Sequence, residues 1–410
     1  MTATQTDYGE IVQRQHPTRS ARQKHAALVG TPLLAVGIAL AAANLRPAVT
    51  SAASVLGEVR DDVGASAMWA SALTAVPVVC FGLAAVFAPW LERRLGAARA
   101  VGLALAVLTG GLALRIVDGQ YAVLGGTFVA AAGIAVGNVL IPVVVKGSFP
   151  HAIGRVTGIY TAALSAGGGI GAFTPALEPF VGGWRGALGA WAALSAAALI
   201  VWLFGARHGS HDGVPVTHER PRRSMLRSPL AWVVTLFFGM QACFAYILMG
   251  WLAEFFVAHG IARTEAGLML AFINLIGIPL SFVIPVYALN RPSQSGWVIA
   301  LACFSVAGVA GLVVAPAAAP WLWTVLLGIG MSIFPIAIGV IALRTRETSE
   351  TTALSAMVQG YGYLIAASGP FLFGILHAAT GNWTVPLVLL GVVIIVEGAL
   401  GYWAGRPRFV

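Results

Sequence analysis

Apolar residues fill this chain in long continuous runs, which short polar segments separate. Most runs reach about 20 residues, the length that an α-helix needs to cross a hydrocarbon core of about 30 Å. The strands of a membrane barrel would instead alternate in polarity. We therefore predict an all-α integral membrane protein with twelve transmembrane helices, over residues 28–57, 66–90, 98–117, 121–146, 153–176, 185–206, 229–256, 264–288, 296–316, 320–344, 352–377 and 385–404.

The composition also favours a protein that lies in a lipid bilayer. Of its 410 residues, 58% are hydrophobic and 10% are charged, whereas a soluble domain carries about 25% charged residues. The formal charge of +9 does not indicate nucleic acid, because the basic residues cluster in short loops between the predicted spans. The three cysteines lie in apolar runs and show no metal-ligand spacing. We predict no metal and no cofactor.

The distribution of Lys and Arg predicts the orientation in the membrane. All but five of the 24 lie in the tail, in the loops on the same side as the tail, or at the C-terminus. The opposite side holds Arg60, Arg185 and Arg263, and Arg46 and Arg115 lie inside spans. Because cytoplasmic loops carry the excess of positive charge, both termini are predicted to be cytoplasmic. We expect a monomeric, multi-pass protein of the cytoplasmic (inner) membrane with a disordered tail over residues 1–27.

The two parts of the chain repeat each other. Residues 207–227 form a polar cytoplasmic linker, so the spans divide into six-helix bundles over residues 28–206 and 228–405. Three pairs of short segments recur in the same order at a nearly constant offset: Thr31-Pro32-Leu33 with Ser228-Pro229-Leu230, Gly137 and Pro142 with Gly330 and Pro335, and residues 182–184 with residues 381–383. A parallel duplication of this kind is typical of the major facilitator fold, in which the substrate site lies between the bundles near the midplane.

Four segments of the spans carry a family resemblance. They are AANLRPAVTS in the first span, GNVLIPVVVKGSFP at residues 137–150, SPLAWVVTLFFGMQACFAYILMGWL at residues 228–252 and LSAMVQGYGYLIAASGPFLFGILHAATGNW at residues 354–383. They resemble the cyanate and 2-nitroimidazole transporter family of the major facilitator superfamily. The resemblance implies secondary transport of a small solute, with members proposed both as anion importers and as exporters of a nitro-heterocycle. It does not carry over a substrate.

Arg46 is the residue most in need of explanation. It lies about 18 residues, or roughly 27 Å, into the first span, where a permanent cation needs a partner or water. Pro47 removes a backbone hydrogen bond and moves Arg46 away from ideal helix geometry. We predict that Arg46 binds an anionic or dipolar solute, because a guanidinium offers two parallel donors. In the alternative, it extends towards Glu58, Asp61 or Asp62, or pairs with a buried carboxylate.

Other polar residues inside the spans are candidates for the site. Asn44 shares a face with Arg46 only if Pro47 distorts the turn, and otherwise braces a neighbouring helix. Further candidates for substrate contact are Asn138, Tyr160, Gln241, Tyr246, Asn274, Gln359 and Tyr363. Asn138 alternatively bonds across helices, and the tyrosines are alternatively packing residues. Glu397 in the last span is the candidate for proton coupling, which stays open. Arg115, beside Asp118, is expected to extend to the membrane interface.

The leading hypothesis is a secondary active transporter that moves a small anion or polar nitrogen heterocycle by alternating access. A multidrug exporter is the first alternative, and it would use a wide apolar and aromatic cavity instead of Arg46. An integral-membrane enzyme would need clustered His, Asp or nucleophiles, whereas the eight His residues are scattered. A channel fits poorly with the duplicated layout.

Overall fold

The computed structural model describes residues 30–149, 152–209, 225–346 and 348–410. Helices make up nearly all of these residues, and no strand occurs among them. The predicted tail, residues 1–27, lies outside the described residues, as does most of the predicted linker, residues 207–227. We refer to residues 30–209 as the N half and to residues 225–410 as the C half.

Nine helices are described in the N half. They are α1 Pro32–Asn44, α2 Pro47–Ser54, α3 Leu56–Asp62, α4 Ala67–Leu95, α5 Ala97–Leu114, α6 Gln120–Ser148, α7 Ile153–Ala172, α8 Thr174–Val181 and α9 Trp184–Gly209. The described part of the C half begins with a 3₁₀ turn, Met225–Arg227. Its helices are α10 Pro229–Ala258, α11 Arg263–Ala288, α12 Ser295–Val314, α13 Pro320–Met331, α14 Phe334–Leu343, α15 Thr348–Thr380 and α16 Thr384–Ala404.

Eleven helical stretches of the described chain are long and apolar enough to cross a membrane. One of them joins α1 and α2, and another joins α13 and α14. The remaining predicted span, residues 153–176, corresponds to α7 and the start of α8. Gly, Ser and Thr are frequent in α7 and Arg155 lies in its first turn, which lowers its hydropathy. The helices thus follow the predicted order of twelve spans.

The repeated Thr/Ser-Pro-Leu triplets begin equivalent helices in the same way. The Thr31 hydroxyl accepts a hydrogen bond of 3.2 Å from the backbone N–H of Leu34 at the start of α1. The Ser228 hydroxyl accepts one of 3.3 Å from Ala231 at the start of α10. In each case proline occupies the first helical turn, where its missing N–H costs nothing. The sequence repeat therefore encodes a repeated helix start.

The two halves pack together at one end of the helices. We name this end the far face, because it is opposite the end at which α1 begins and α16 ends, which we name the termini face. Glycines let the helices approach there, and a Cβ on them would lie 2.7–3.1 Å from an atom of the other half. The pairs are Gly57 with Glu254, Gly250 with Thr74, and Gly267 with Ala172. The far face is therefore closed by direct contact between the halves.

Gly167 allows the close approach of α7 to the first span. A Cβ at Gly167 would lie 2.1 Å from the backbone carbonyl oxygen of Ala43, near the end of α1. Gly158, earlier in α7, has open space around the same position. The two glycines therefore have different roles within one helix.

We expect Gly167→Ala to lower stability and Gly158→Ala to preserve or raise it. Alanine is the better helix former at both sites by about 1 kcal/mol, but at Gly167 it clashes with backbone that cannot rotate away, at a cost of about 1–3 kcal/mol. The midpoint of thermal unfolding in detergent measures both effects. Equal midpoints for the two variants would contradict the close packing of α7 on α1.

Candidate functional site

The first span is interrupted at Arg46. Helix α1 ends at Asn44, and Arg46 precedes α2 with φ −110° and ψ −32°. Pro47 is the first residue of α2 and supplies the physical cause, because it has no N–H and crowds the residue before it. The predicted distortion at Pro47 is therefore present. It places the cation at a helix break inside the membrane-spanning part of the chain.

Arg46 points across to the C half. Its Nη1 lies 3.5 Å from Oδ1 of Asn274 in α11, a long and weak hydrogen bond. Gly168 in α7 makes room for this approach, because a Cβ there would lie 3.0 Å from Asn274 Oδ1 and 3.2 Å from Arg46 Cδ. Among the described residues, ion pairs within 4 Å join Arg60 with Asp61 and Arg185 with two aspartates, and none includes Arg46. The guanidinium is half-buried and keeps donors free.

Three predicted tyrosines lie near the same guanidinium. Tyr160 of α7, Tyr246 of α10 and Tyr363 of α15 each lie within electrostatic reach of Arg46. The rings of Tyr246 and Tyr363 are 6.3 Å apart. Of the nine predicted substrate-binding residues, the structure thus brings together Arg46, Asn274 and the three tyrosines, from helices of both halves.

Two aromatic residues that the sequence analysis did not single out belong to this cluster. Phe81 of α4 contacts Tyr246 and Tyr363, with both centroid distances at 5.7 Å. Phe238 of α10 packs edge-on against Tyr363 at 5.1 Å. Both lie in continuous apolar runs, where a phenylalanine facing the site and one facing lipid look alike. No signal in the sequence distinguishes them.

Asn44 and Gln359 bond within their own helices. The Asn44 amide donates to the Leu40 carbonyl at 2.8 Å, and its side chain is buried. Gln359 Nε2 donates to the Ser355 hydroxyl at 2.8 Å. Asn138 of α6 is half-buried, and the contacts of the described residues do not join it to Arg46. Their roles in substrate binding stay predictions.

Gln241 supports a second helix break. Its amide nitrogen donates to the backbone carbonyl of Met331 at 3.3 Å, where α13 ends and before α14 begins. The Gln241 side chain is buried, and no described residue donates a hydrogen bond to its Oε1. A carbonyl released by a break inside the membrane needs such a donor, because no water is available to it. Gln241 therefore stabilises the interrupted tenth span, and its predicted substrate contact remains untested.

The expectation that Arg115 extends to the membrane interface is wrong. Arg115 is fully buried, and its Nη1 donates to the Ala48 carbonyl of α2 at 2.8 Å. Its expected neighbour Asp118 instead pairs with Arg185 at 2.6 Å, and Arg185 also holds Asp62 at 2.7 Å. Arg185 thus pairs with both aspartates at the far face, whereas Arg115 turns inward and donates to the second segment of the broken span.

Glu397 is enclosed within the C half. Its side chain has no exposed surface, and both carboxyl oxygens are buried without a hydrogen-bond partner in the part of the chain that the structure describes. It lies close enough to Cys243 of α10 to interact with it electrostatically. Tyr246, one turn further along α10, belongs to the Arg46 cluster. Glu397 therefore lies on a helix that packs against a site-bearing helix, and not in the cluster itself.

Charged residues gather where the halves meet at the far face. The Glu178 carboxyl in α8, beyond the predicted end of the fifth span, lies beside that of Glu58 in α3. Arg263 of the C half faces Glu178, and Glu254 packs on Gly57 next to Glu58. Burial first, and then the neighbouring Glu58, raises the pKa of Glu178 to about 7, while Arg263 opposes the rise. Closure of the far face therefore favours a proton on Glu178.

We expect the stability of the folded protein to fall as pH rises from about 4.5 to about 7. The pKa of Glu178 is raised in the folded protein, so the folded state holds its proton more tightly than the unfolded chain does in this window. Glu178→Gln, which keeps a neutral group beside Glu58, should reduce the pH dependence of the thermal midpoint. Glu265→Gln on the same face is the matched control. An unchanged pH dependence in Glu178→Gln would contradict the expectation.

A broken span with a free cation between two packed halves defines a membrane transporter with a central site. Comparison with known proteins agrees: the Major Facilitator Superfamily pattern matches residues 33–367. The chain belongs to the major facilitator superfamily.

Two relatives and two solved structures show how far the likeness extends. The chain is 35% identical to the uncharacterized transporter YycB of Bacillus subtilis, covering 92% of this chain and 94% of that protein. It is 34% identical to the 2-nitroimidazole transporter of Escherichia coli, covering 92% and 96%. A bacterial homolog of the lysosomal transporter Spinster, crystallised inward-facing and unoccupied, superposes with a TM-score of 0.75 at 13% identity over 92% and 98%. A peptide transporter crystallised with sulfate also reaches 0.75, at 12% identity over 95% and 99%.

These comparisons confirm three predictions. The fold is the major facilitator fold, since the solved structures share it over nearly their whole length. The resemblance to the cyanate and 2-nitroimidazole transporters holds over most of the chain, because the Escherichia coli cyanate transport protein CynX is also 29% identical over 363 residues. The relatives are transporters, so the chain is a transporter rather than a membrane enzyme.

Proposed function

We propose that the protein is a secondary active transporter that moves a small anion or polar nitrogen heterocycle by alternating access around Arg46. The observation that carries the proposal is the half-buried guanidinium of Arg46, which lies at a helix break and takes part in no ion pair among the described residues. A cation held in this way is complementary to a ligand that brings the missing negative charge.

The helix break adds a second attraction for negative charge. Arg46 immediately precedes α2, which is eight residues long. The N-terminal end of a helix carries a partial positive charge, and broken membrane helices in transporters point such ends at anionic groups of their substrates. The Arg46 guanidinium and the start of α2 therefore favour an anion at the same point.

The relatives support this class of solute. Their names describe transport of 2-nitroimidazole and of cyanate. A third relative, matched over 88 residues at 36% identity, is described as an anionic 4-hydroxy-benzoate permease of Thauera aromatica. Each name refers to a small anion or a polar heterocycle. We carry over this chemical class and not a particular substrate.

For the orientation, we propose that the termini face is cytoplasmic and that the protein lies in the cytoplasmic (inner) membrane. The excess of Lys and Arg in the loops of that face supports this assignment. The direct contacts of Gly57, Gly250 and Gly267 across the halves then close the site on the outer side. We expect the protein to act as a monomer.

Substitution of Arg46 tests the proposal. A hydrogen bond to a charged group contributes about 1.5–3 kcal/mol, so Arg46→Gln should weaken binding about 10- to 100-fold. Arg46→Lys keeps the charge but loses the two parallel donors, and it should bind at an intermediate strength. Isothermal titration of the purified full-length protein with cyanate, 4-hydroxybenzoate and 2-nitroimidazole measures the effect.

Arg60→Gln, in the exposed pair with Asp61, is the control for loss of a positive charge and should bind as the parent does. The multidrug-exporter alternative makes the opposite prediction for Arg46. If Arg46→Gln bound every probe with parental affinity, the site would be a general apolar cavity and the proposal would be wrong.

For coupling, we propose a proton carried by Glu397. Its carboxyl oxygens have no partner inside the C half, so a movement that brings water to them allows proton exchange. Glu397→Gln should bind substrate with parental affinity and lose accumulation driven by a pH gradient in proteoliposomes. Counterflow without a gradient is the control and should persist. Gradient-driven accumulation at the parental rate in Glu397→Gln would exclude Glu397 as the carrier.

A further inference from the structure

Three aromatic rings close the space between the halves next to Arg46. Phe81 comes from α4 of the N half, and Tyr246 and Tyr363 come from α10 and α15 of the C half. The Phe81 ring lies 5.7 Å from each tyrosine ring, tilted by 45° and 63°, and the tyrosine rings are 6.3 Å apart. Each ring therefore contacts the other two. We name these residues the aromatic triad.

The triad lies near Arg46 and borders a small void. Tyr246 and Tyr363 both lie within electrostatic reach of Arg46. Tyr246 also lines an apolar cavity of about 10 Å³, room for about one water molecule. The other walls of this cavity include Ala48, which follows Pro47, and residues nearer the far face such as Leu73 and Gly250. Tyr246 therefore connects the surroundings of Arg46 with the packed region between the halves.

The C half and the N half contribute differently to the triad. Phe238 packs edge-on against Tyr363 at 5.1 Å and belongs to the same half as both tyrosines. Phe81 is the ring that the N half contributes, and it is buried. Because Tyr246 and Tyr363 belong to one half and Phe81 to the other, separation of the halves as rigid bodies would break the Phe81 contacts and keep the contact between the tyrosines. Phe81 is therefore the ring whose contacts change with the state of the transporter.

We propose that the aromatic triad is a gate that selects flat ring-shaped substrates, with Phe81 as its specificity-determining residue. This inference rests on the proposed function, in which Arg46 binds the charged or dipolar end of the substrate. A planar heterocycle or aromatic anion held by Arg46 can replace the Phe81 contacts with offset or edge-to-face contacts of its own, each contributing about 0.5–1.5 kcal/mol. A small linear ion such as cyanate has no ring with which to do so.

Substitution of Phe81 tests the gate by comparing two classes of probe. We expect Phe81→Leu to weaken the binding of 2-nitroimidazole and 4-hydroxybenzoate about 3- to 10-fold and to change the binding of cyanate less than about 2-fold. Phe81→Tyr keeps the ring and should retain parental selectivity. Isothermal titration of the purified full-length protein gives the dissociation constants.

The controls separate the gate from a general effect on folding. Phe304→Leu removes a half-exposed ring from α12 and should change neither class. Tyr363→Leu removes a ring from the C half and should cause the same loss of affinity for flat probes. This variant provides the test if Phe81→Leu does not fold. An equal change for flat and linear probes, or none for either, would overturn the gate. If the parent protein binds none of the probes, both the gate and the proposed substrate class are contradicted.

The outcomes also separate this inference from the proposed function. Suppose that Arg46→Gln weakens the binding of all probes and that Phe81→Leu leaves the ratio of the affinities for flat and linear probes at the parental value. The anion site is then supported and the gate is wrong. If Phe81→Leu lowers that ratio of affinities and Arg46→Gln binds all probes with parental affinity, the rings select flat ligands without an anion site.

Discussion

The structure depends on one constraint, which is a permanent cation inside a hydrocarbon layer. A central arginine costs from about 3 to more than 10 kcal/mol to place there, and Arg46 forms no ion pair within 4 Å among the described residues. The surrounding fold lowers this cost without neutralising the charge. The amide of Asn274 and the three tyrosines give the guanidinium a polar environment, and Gly168 leaves space for it. The charge therefore stays available to a ligand.

The broken helices follow from the same constraint. A cation at a regular helix position would project from a fully bonded backbone, whereas the break at Pro47 exposes the start of α2 beside it. Buried polar side chains then donate to backbone carbonyls near each break. Arg115 donates to Ala48 just beyond the break in the first span, and Gln241 donates to Met331 at the break in the tenth. Polar residues deep in the two halves thus hold interrupted helices in place.

The contacts between the halves suit alternating access. At the far face, small residues bring the helices together, and the Glu178 carboxyl lies beside Glu58 and faces Arg263. In the middle, three rings from both halves meet beside Arg46. These contacts are many and individually weak, which lets the halves separate without breaking a strong bond. A single buried ion pair between the halves would instead oppose separation strongly, because breaking it leaves an uncompensated charge.

The sequence by itself determined the class of fold, the order of the spans, the family and the position of the central cation. These depend on local features, namely run length, a repeated helix start, Arg46 and the proline after it. The tertiary structure decided which side chains meet that cation. Asn274 and the tyrosines reach it and Gln241 does not, although all are polar residues inside spans. It also turned Arg115 inward onto Ala48 and paired Asp118 with Arg185 of another helix. Phe81, the phenylalanine of the triad, carries no polar group. Which way its ring points is therefore decided only when helices from both halves pack together.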